Sequence, residues 1–344
     1  MTAFEPEPST GLGGLFPPLE LRGVHRDGPA PGGRRRVIID TDPGQDDAIA
    51  ILLALASVEL EVLGLSIVAG NVPLASTVQA ARAVVELADR RDVPIHAGSS
   101  RPLRRQLVTA EHVHGDTGLD GPELPPPTVA VSDEHAVDFI VRSLRGAEPG
   151  EITLVTLGPL TNIALAFSRA PEIIPRVREI VMVIGSLHEG GNITPLADFN
   201  CYVDPDAADV VLRSGAPIVA IPMDATHSMR TTDVRLDRLA ANGNRCSLAA
   251  VEMLRFSQVF DVEKYGWDAG PLHDPCAVLY LIRPDLFTGR RVNVCAVTDG
   301  SVSVGMTIVD WWGVSGRPAN VDFMRDVEVQ PAFDLLTERL SLLP

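Results

Sequence analysis

From residue 37 onward, short β-branched and leucine-containing runs alternate with longer Ala- and Leu-rich stretches. The short runs read as buried strands and the longer ones as helices. Strands are predicted at 37–39, 61–68, 93–96, 151–157, 179–184 and 217–221. Helices are predicted at 48–55, 76–89, 134–145, 206–213 and 276–282, with a further one opened by Gly158-Pro159-Leu160-Thr161-Asn162. Residues 235–262 read as mostly helical, an insertion or cap near a pocket mouth. Such alternation implies an α/β fold, a parallel sheet covered by helices on both faces.

Beyond residue 286 the pattern changes. Strands at 290–297, 306–309 and 321–329 flank Trp311-Trp312-Gly313, and a helix at 332–342 closes the chain. This reads as an antiparallel extension of the sheet. Residues 97–133, rich in Gly and Pro, form a loop too long to be a mere connection. Residues 1–36 carry many Pro and Gly and end in Arg34-Arg35-Arg36, which reads as a flexible extension. What remains, 37–344, is long enough for one large α/β domain or two modest ones and shows no internal repeat or second core.

The first strand runs directly into Asp40-Thr41-Asp42-Pro43-Gly44-Gln45-Asp46-Asp47, with four carboxylates in eight residues. Pro43-Gly44 is a sharp turn, so the acids gather between a strand's carboxyl end and a helix's amino end, where α/β folds put their ligands. Asp46 and Asp47 would also serve as helix-cap acids, but capping does not explain Asp40 and Asp42. Oxygen ligands at this density, with no Cys or His nearby, favour Ca²⁺ or Mg²⁺ over zinc.

Further polar residues follow other strand ends. Asn71, after Ala69-Gly70, faces the same crevice or is a turn former. Asn192, Asp198 and Asn200 crowd a glycine-rich loop and suit the adjacent hydroxyls of a sugar, with turn chemistry as the alternative for Asn192. His114, beside Gly115, reads alone as an exposed loop histidine. Asp274, before Pro275, reads alone as a helix cap, and His273 as a loop histidine shaping that turn.

Charge narrows the partners. The chain has 344 residues and a formal net charge of −16, which argues against nucleic-acid polymers and anionic membranes. No apolar run reaches the roughly 18 residues that a transmembrane helix needs. Residues 1–36 lack the apolar core of a secretory signal, and the four cysteines, Cys201, Cys246, Cys276 and Cys295, form no Cys-x-x-Cys. The expectation is a cytoplasmic protein with reduced thiols.

Asp40-Thr41-Asp42-Pro43-Gly44-Gln45-Asp46-Asp47-Ala48 resembles the amino-terminal motif of the inosine-uridine-preferring nucleoside hydrolases, calcium-dependent N-ribosidases. The resemblance covers about residues 37–342 in five separated segments. It implies a single-domain, Rossmann-like open sheet, mostly parallel, in a homodimer or homotetramer. It further implies hydrolysis of ribonucleosides to ribose and free base, with uridine and cytidine first and inosine as a further candidate.

By the same resemblance, Ca²⁺ is held by Asp42, Asp47, Asp274 and the Leu157 carbonyl, Asp42 takes the proton of the attacking water, and Asp40 supports the shell. Asp46, Asn71, Asn192, Asp198, Phe199 and Asn200 bind the substrate, and His114 borders the base. His273 protonates the leaving base and Tyr265 pairs with it, as in pyrimidine-preferring members. The purine-stacking branch has Trp where this chain has His114. Asp116 and Asp198 depart from the family by standing where Glu is usual.

Two rivals remain at this stage. A strand followed by Asp-x-Asp also opens haloacid-dehalogenase-type phosphatases, but these need a later Lys or Arg at the phosphate, and Lys264 is the only lysine. The Pro-Gly-x-Asp-Asp continuation fits them poorly. A catalytically silent sugar- or calcium-binding member is the second, and the intact Asp42 and His273 argue against it.

Overall fold

The computed structural model describes residues 33–344. The flexible extension expected over 1–36 therefore lies, as far as residue 32, outside the described residues. The first strand, β1, spans Arg35–Thr41 and begins earlier than expected. Arg35 is anchored by Glu179 at 3.0 Å and Arg36 by Glu151 at 2.6 Å, so both arginines belong to the sheet rather than to the extension.

The chain continues through α1 (Gln45–Ala56), β2 (Leu60–Ile67), α2 (Leu74–Leu87), β3 (Ile95–Ala97), α3 (Glu111–His114), α4 (Ala136–Gly146), β4 (Ile152–Thr156), α5 (Thr161–Arg169) and β5 (Val177–Val183). Then follow α6 (Phe199–Val203), α7 (Pro205–Leu212), β6 (Ile218–Ile221), α8 (Met223–Thr226), α9 (Asp233–Ala240), α10 (Arg245–Tyr265) and α11 (Pro275–Ile282). The chain ends with β7 (Phe287–Ala296), β8 (Thr307–Asp310), β9 (Val321–Val327) and α12 (Val329–Leu340). The expected helices are all present, and the long loop after β3 contains the short α3.

The strands form one nine-stranded sheet in the order β3-β2-β1-β4-β5-β6-β9-β7-β8. β1 to β6 pair in parallel, as the alternation predicts. The extension differs from expectation in one respect: β9 inserts beside β6 and runs parallel to it, and the reversed strand is β7, antiparallel to both β9 and β8. Burial supplies the reason. Val321 to Met324 are all buried, as in a central parallel strand covered on both sides, whereas β7 alternates between buried and more exposed positions.

Helix α1 explains why the acids sit where they do. Its apolar residues from Ala48 to Leu55 are buried all round, so it runs through the core against α10, α11 and α12 rather than over the surface. A core helix fixed in this way holds its amino end rigidly at the tip of β1. The strand order reverses between β1 and β4, and the crevice at their carboxyl ends is the usual ligand site of an open α/β sheet. Among the described residues, no helix is long and apolar enough to cross a membrane.

Candidate active site

Asp42 to Gly44 carry the chain from β1 into α1 across the β1–β4 crevice. Asp47 stands in the first turn of α1, where its carboxylate accepts the Gly44 N–H at 2.9 Å, the Thr41 hydroxyl and the Asn71 side-chain amide at 3.1 Å. It caps the helix and faces the crevice at once. Carboxylate oxygens of Asp46, Asp47 and Asp274 lie within 4.8 Å of one another. Asp274 precedes α11 but makes no side-chain capping bond, so the cap reading of this residue does not hold.

Asp42 completes the acidic floor. The Asn71 backbone N–H donates to its Oδ2 at 2.7 Å, while Oδ1 is buried and without a partner. A Cβ at Gly70 or at Gly158 would collide with the Asp42 carboxylate, so both positions are glycine for close approach rather than for backbone freedom. Asp40 lies one layer deeper. Ser66 and Asn162, the latter at 2.9 Å, donate to its Oδ1. Asn162 also bonds the Ile67 carbonyl and accepts the Ser99 N–H, a buried junction that its place at a helix start did not reveal.

Burial dominates the electrostatics. It pushes the Asp42 and Asp274 carboxyls well above the usual carboxylate range, with neighbouring acids adding to the rise. It raises Asp47 to about 6 and Asp40 to about 7. Carboxylates packed this closely repel one another, and a hard cation with oxygen ligands relieves that repulsion. The donor set and the unpartnered Asp42 oxygen fit such an ion. The convergent trio contains Asp46, expected on the sugar side, alongside Asp47 and Asp274.

The Leu157 carbonyl opens into the same pocket and accepts the Asn200 amide at 2.6 Å, which leaves its second lone pair. Asn200 also donates to the Val183 carbonyl at 2.9 Å. Asn192 accepts the Phe199 N–H at 2.8 Å, and the Lys264 ammonium bonds its backbone carbonyl. Much of the hydrogen-bonding capacity expected to be free at Asn192 and Asn200 thus holds the loop in shape. Asp198 caps α6 through the Cys201 N–H at 3.1 Å, and its other oxygen is buried and without a partner. Burial raises its pKa to about 6.

The opposite wall carries the rings. His114 is not an exposed loop residue: it lies on α3, its Nδ1 is 2.6 Å from the Gln45 amide oxygen, and Gln45 in turn bonds the His114 carbonyl at 3.0 Å. His273 pairs through Nδ1 with the Thr226 hydroxyl at 2.7 Å, and burial holds its pKa down at about 4. The imidazole is therefore neutral near pH 7. If Nδ1 accepts from Thr226, Nε2 carries the proton. Tyr265 stacks on Trp267 with centroids 4.5 Å apart. His227, bonded to Glu189 at 2.9 Å, neighbours both His273 and Tyr265 at 5.7 and 6.1 Å.

Gln45, Thr226 and His227 went unassigned at the sequence level. Thr226 and His227 follow β6, and the rule that strand ends face the crevice would have found them. Gln45 carried no such signal, because only folding brings α3 over the start of α1.

A family model described as "Inosine-uridine preferring nucleoside hydrolase" matches residues 37–334. An uncharacterised Schizosaccharomyces pombe protein is 52% identical over 309 residues, covering 90% of this chain and 100% of its own length. The pyrimidine-specific ribonucleoside hydrolase RihA of Salmonella typhimurium is 42% identical over 307 residues, 89% of this chain and 98% of its own. Among solved structures, the purine-preferring ribonucleoside hydrolase of Gardnerella vaginalis superposes with a TM-score of 0.83 at 30% identity, covering 89% of this chain and 98% of that one.

Proposed function

The chain belongs to the inosine-uridine preferring nucleoside hydrolases and is a ribonucleoside hydrolase, and from that premise we propose that it hydrolyses pyrimidine ribonucleosides in a calcium-dependent reaction. One observation carries the reading: the carboxylates of Asp46, Asp47 and Asp274 converge, Asp42 keeps a buried oxygen without a partner, and Asp46 and Asp274 line a pocket together with the 192–200 loop, His273 and Tyr265. The family assignment removes the phosphatase alternative.

Asp42, Asp47, Asp274 and the Leu157 carbonyl would hold Ca²⁺, with Asp46 at its edge. Bound there, calcium supplies an acidified water and a fixed point for ribose hydroxyls. Asp42 takes the proton of the attacking water through its free oxygen. Asp46, Asn71, Asn192, Asp198 and Asn200 hold the sugar, with Phe199 packed beside it, and Asp40 braces the floor. Water adds to C1′ as the C1′–N bond breaks, and the bonding pair leaves with the base. The ring passes through an oxocarbenium-like state that nearby carboxylates stabilise. His273 protonates the departing base as the imidazolium, a minor form near pH 7 in the ion-free pocket, with Tyr265 close to that exchange.

Pyrimidine preference is supported by the RihA likeness and by His114 where the purine-stacking branch has tryptophan. The test is a ribose-release panel of uridine, cytidine, inosine, adenosine and 5-methyluridine, with and without chelator. Release from uridine or cytidine that needs calcium is the expected result. Silence across the panel, or release from purine nucleosides alone, overturns the pyrimidine reading. The functional unit proposed is a cytoplasmic homodimer or homotetramer, which light scattering would count.

The Thr226–His273 bond yields a separate prediction. Thr226→Val keeps the shape and removes the hydroxyl that fixes the imidazole tautomer. The expected outcome is a fall in kcat of about 10- to 100-fold with little change in KM, because the bond matters when the proton moves. An unchanged kcat would remove Thr226 from the mechanism.

A further inference from the structure

The pocket contains an acid that the chemistry above does not use. Asp261 lies on α10 one turn after Ser257 and one turn before Tyr265, so the three share the helix face that lines the pocket. Its carboxyl forms no hydrogen bond with any described residue. The nearby cation, Lys264, sends its ammonium to the Asn192 carbonyl instead. A Cβ at Gly270 would lie 3.1 Å from the Asp261 Oδ2. The carboxyl is thus held against the segment that leads through Pro271 to His273 and Asp274.

This location decides what Asp261 meets. The acidic floor and the 192–200 loop take the ribose, so the base extends toward the wall of α3 and α10, where His114, His273 and Tyr265 also stand. Cytosine presents an exocyclic amino donor at C4 and an acceptor at N3, whereas uracil presents a carbonyl acceptor at C4. A carboxylate opposite the amino group completes a hydrogen bond. The same carboxylate opposite the uracil oxygen sets lone pair against lone pair.

We propose that Asp261 reads the base through its exocyclic amino group and makes the pocket prefer cytidine over uridine. The proposal rests on the ribonucleoside-hydrolase reading above and names its substrate class. Burial, which pushes the carboxyl up to about 7, is compatible with it. The ionised form is the one that discriminates, and the neutral acid, like an amide, serves either base, so the preference for cytidine grows as pH rises through about 7. A site built to hydrogen-bond a substrate N–H rejects an analogue that lacks it far more strongly than an apolar pocket rejects a missing methylene.

The test compares kcat/KM for cytidine and uridine in the calcium-loaded full chain and in two variants. The unaltered protein should favour cytidine by about tenfold or more. Asp261→Asn can accept or donate, and should bring the ratio to within about twofold. Asp261→Ala should lose about tenfold or more on cytidine, mostly in KM, while its rate on uridine stays within about threefold and reports an intact fold. Unchanged ratios in both variants, with ribose still released, overturn the role of Asp261 and leave the hydrolase reading standing. No ribose from any nucleoside with the unaltered protein overturns both.

Discussion

Asp42→Asn lowers kcat for ribose release by about 10³- to 10⁴-fold while the protein stays folded, and calcium-free Asp42→Asn melts higher than the calcium-free parent. The substitution is nearly isosteric. The amide oxygen can still accept the Asn71 N–H, and the NH₂ takes the place of the carboxylate oxygen that lacks a partner. What is lost is a negative charge and a proton acceptor. Among buried acids that already repel one another, losing one charge stabilises the ion-free fold. Asp42→Glu gives no rescue, because Gly70 and Gly158 close on the carboxylate and leave no room for another methylene. Ribose release and thermal melts in chelator check both halves, and near-normal turnover by Asp42→Asn would sink the assigned mechanism.

The sheet and the acidic floor were legible in sequence because both depend on local patterns. Alternating runs fixed β1 to β6, and four acids after the first run placed a site at the strand end. The order of the last three strands was not legible from strand positions alone, since an inserted parallel β9 and an antiparallel one occupy similar stretches of chain. The continuous burial of Val321 to Met324 includes Asp322, paired with Arg291 at 3.0 Å, and so emerges only in the folded chain. Asp274 shows a different limit. Its sequence context, Asp-Pro before an apolar helix, is that of a cap, and only its backbone geometry and its approach to Asp46 and Asp47 settle the matter.

The substrate side was less legible, because a list of polar side chains does not say which are already occupied. Asn192 and Asn200 spend hydrogen bonds on Phe199, Leu157 and Val183, and so act partly as braces for the loop. Asp198, by contrast, keeps one buried oxygen free. The shorter acid at this position caps α6 and still presents an acceptor to the pocket. His114 owes its place to Gln45, a contact between residues 69 apart in the chain that no spacing rule anticipates.

Removing calcium should abolish activity and tie stability to pH. In chelator, ribose release falls by about 10³-fold or more, because a water that is not acidified at the metal is a poor nucleophile near neutral pH. Calcium restores the rate on addition. The stability effect follows from the acids. Asp47 is raised from 3.8 to about 6 and Asp40 from 3.8 to about 7, so the ion-free fold keeps protons that the unfolded chain has released. Their contribution to stability is present in full below about pH 4 and is lost as pH rises through about 6 to 7. Calcium needs deprotonated ligands and opposes that loss. The rise in Tm on adding calcium is therefore small at pH 5 and larger at pH 8. At a hundredfold excess over Kd the ion contributes about 2.7 kcal/mol, or about 4 °C for a chain of this size. A calcium-induced shift of equal size at both pH values would mean that the cation does not bind these carboxylates.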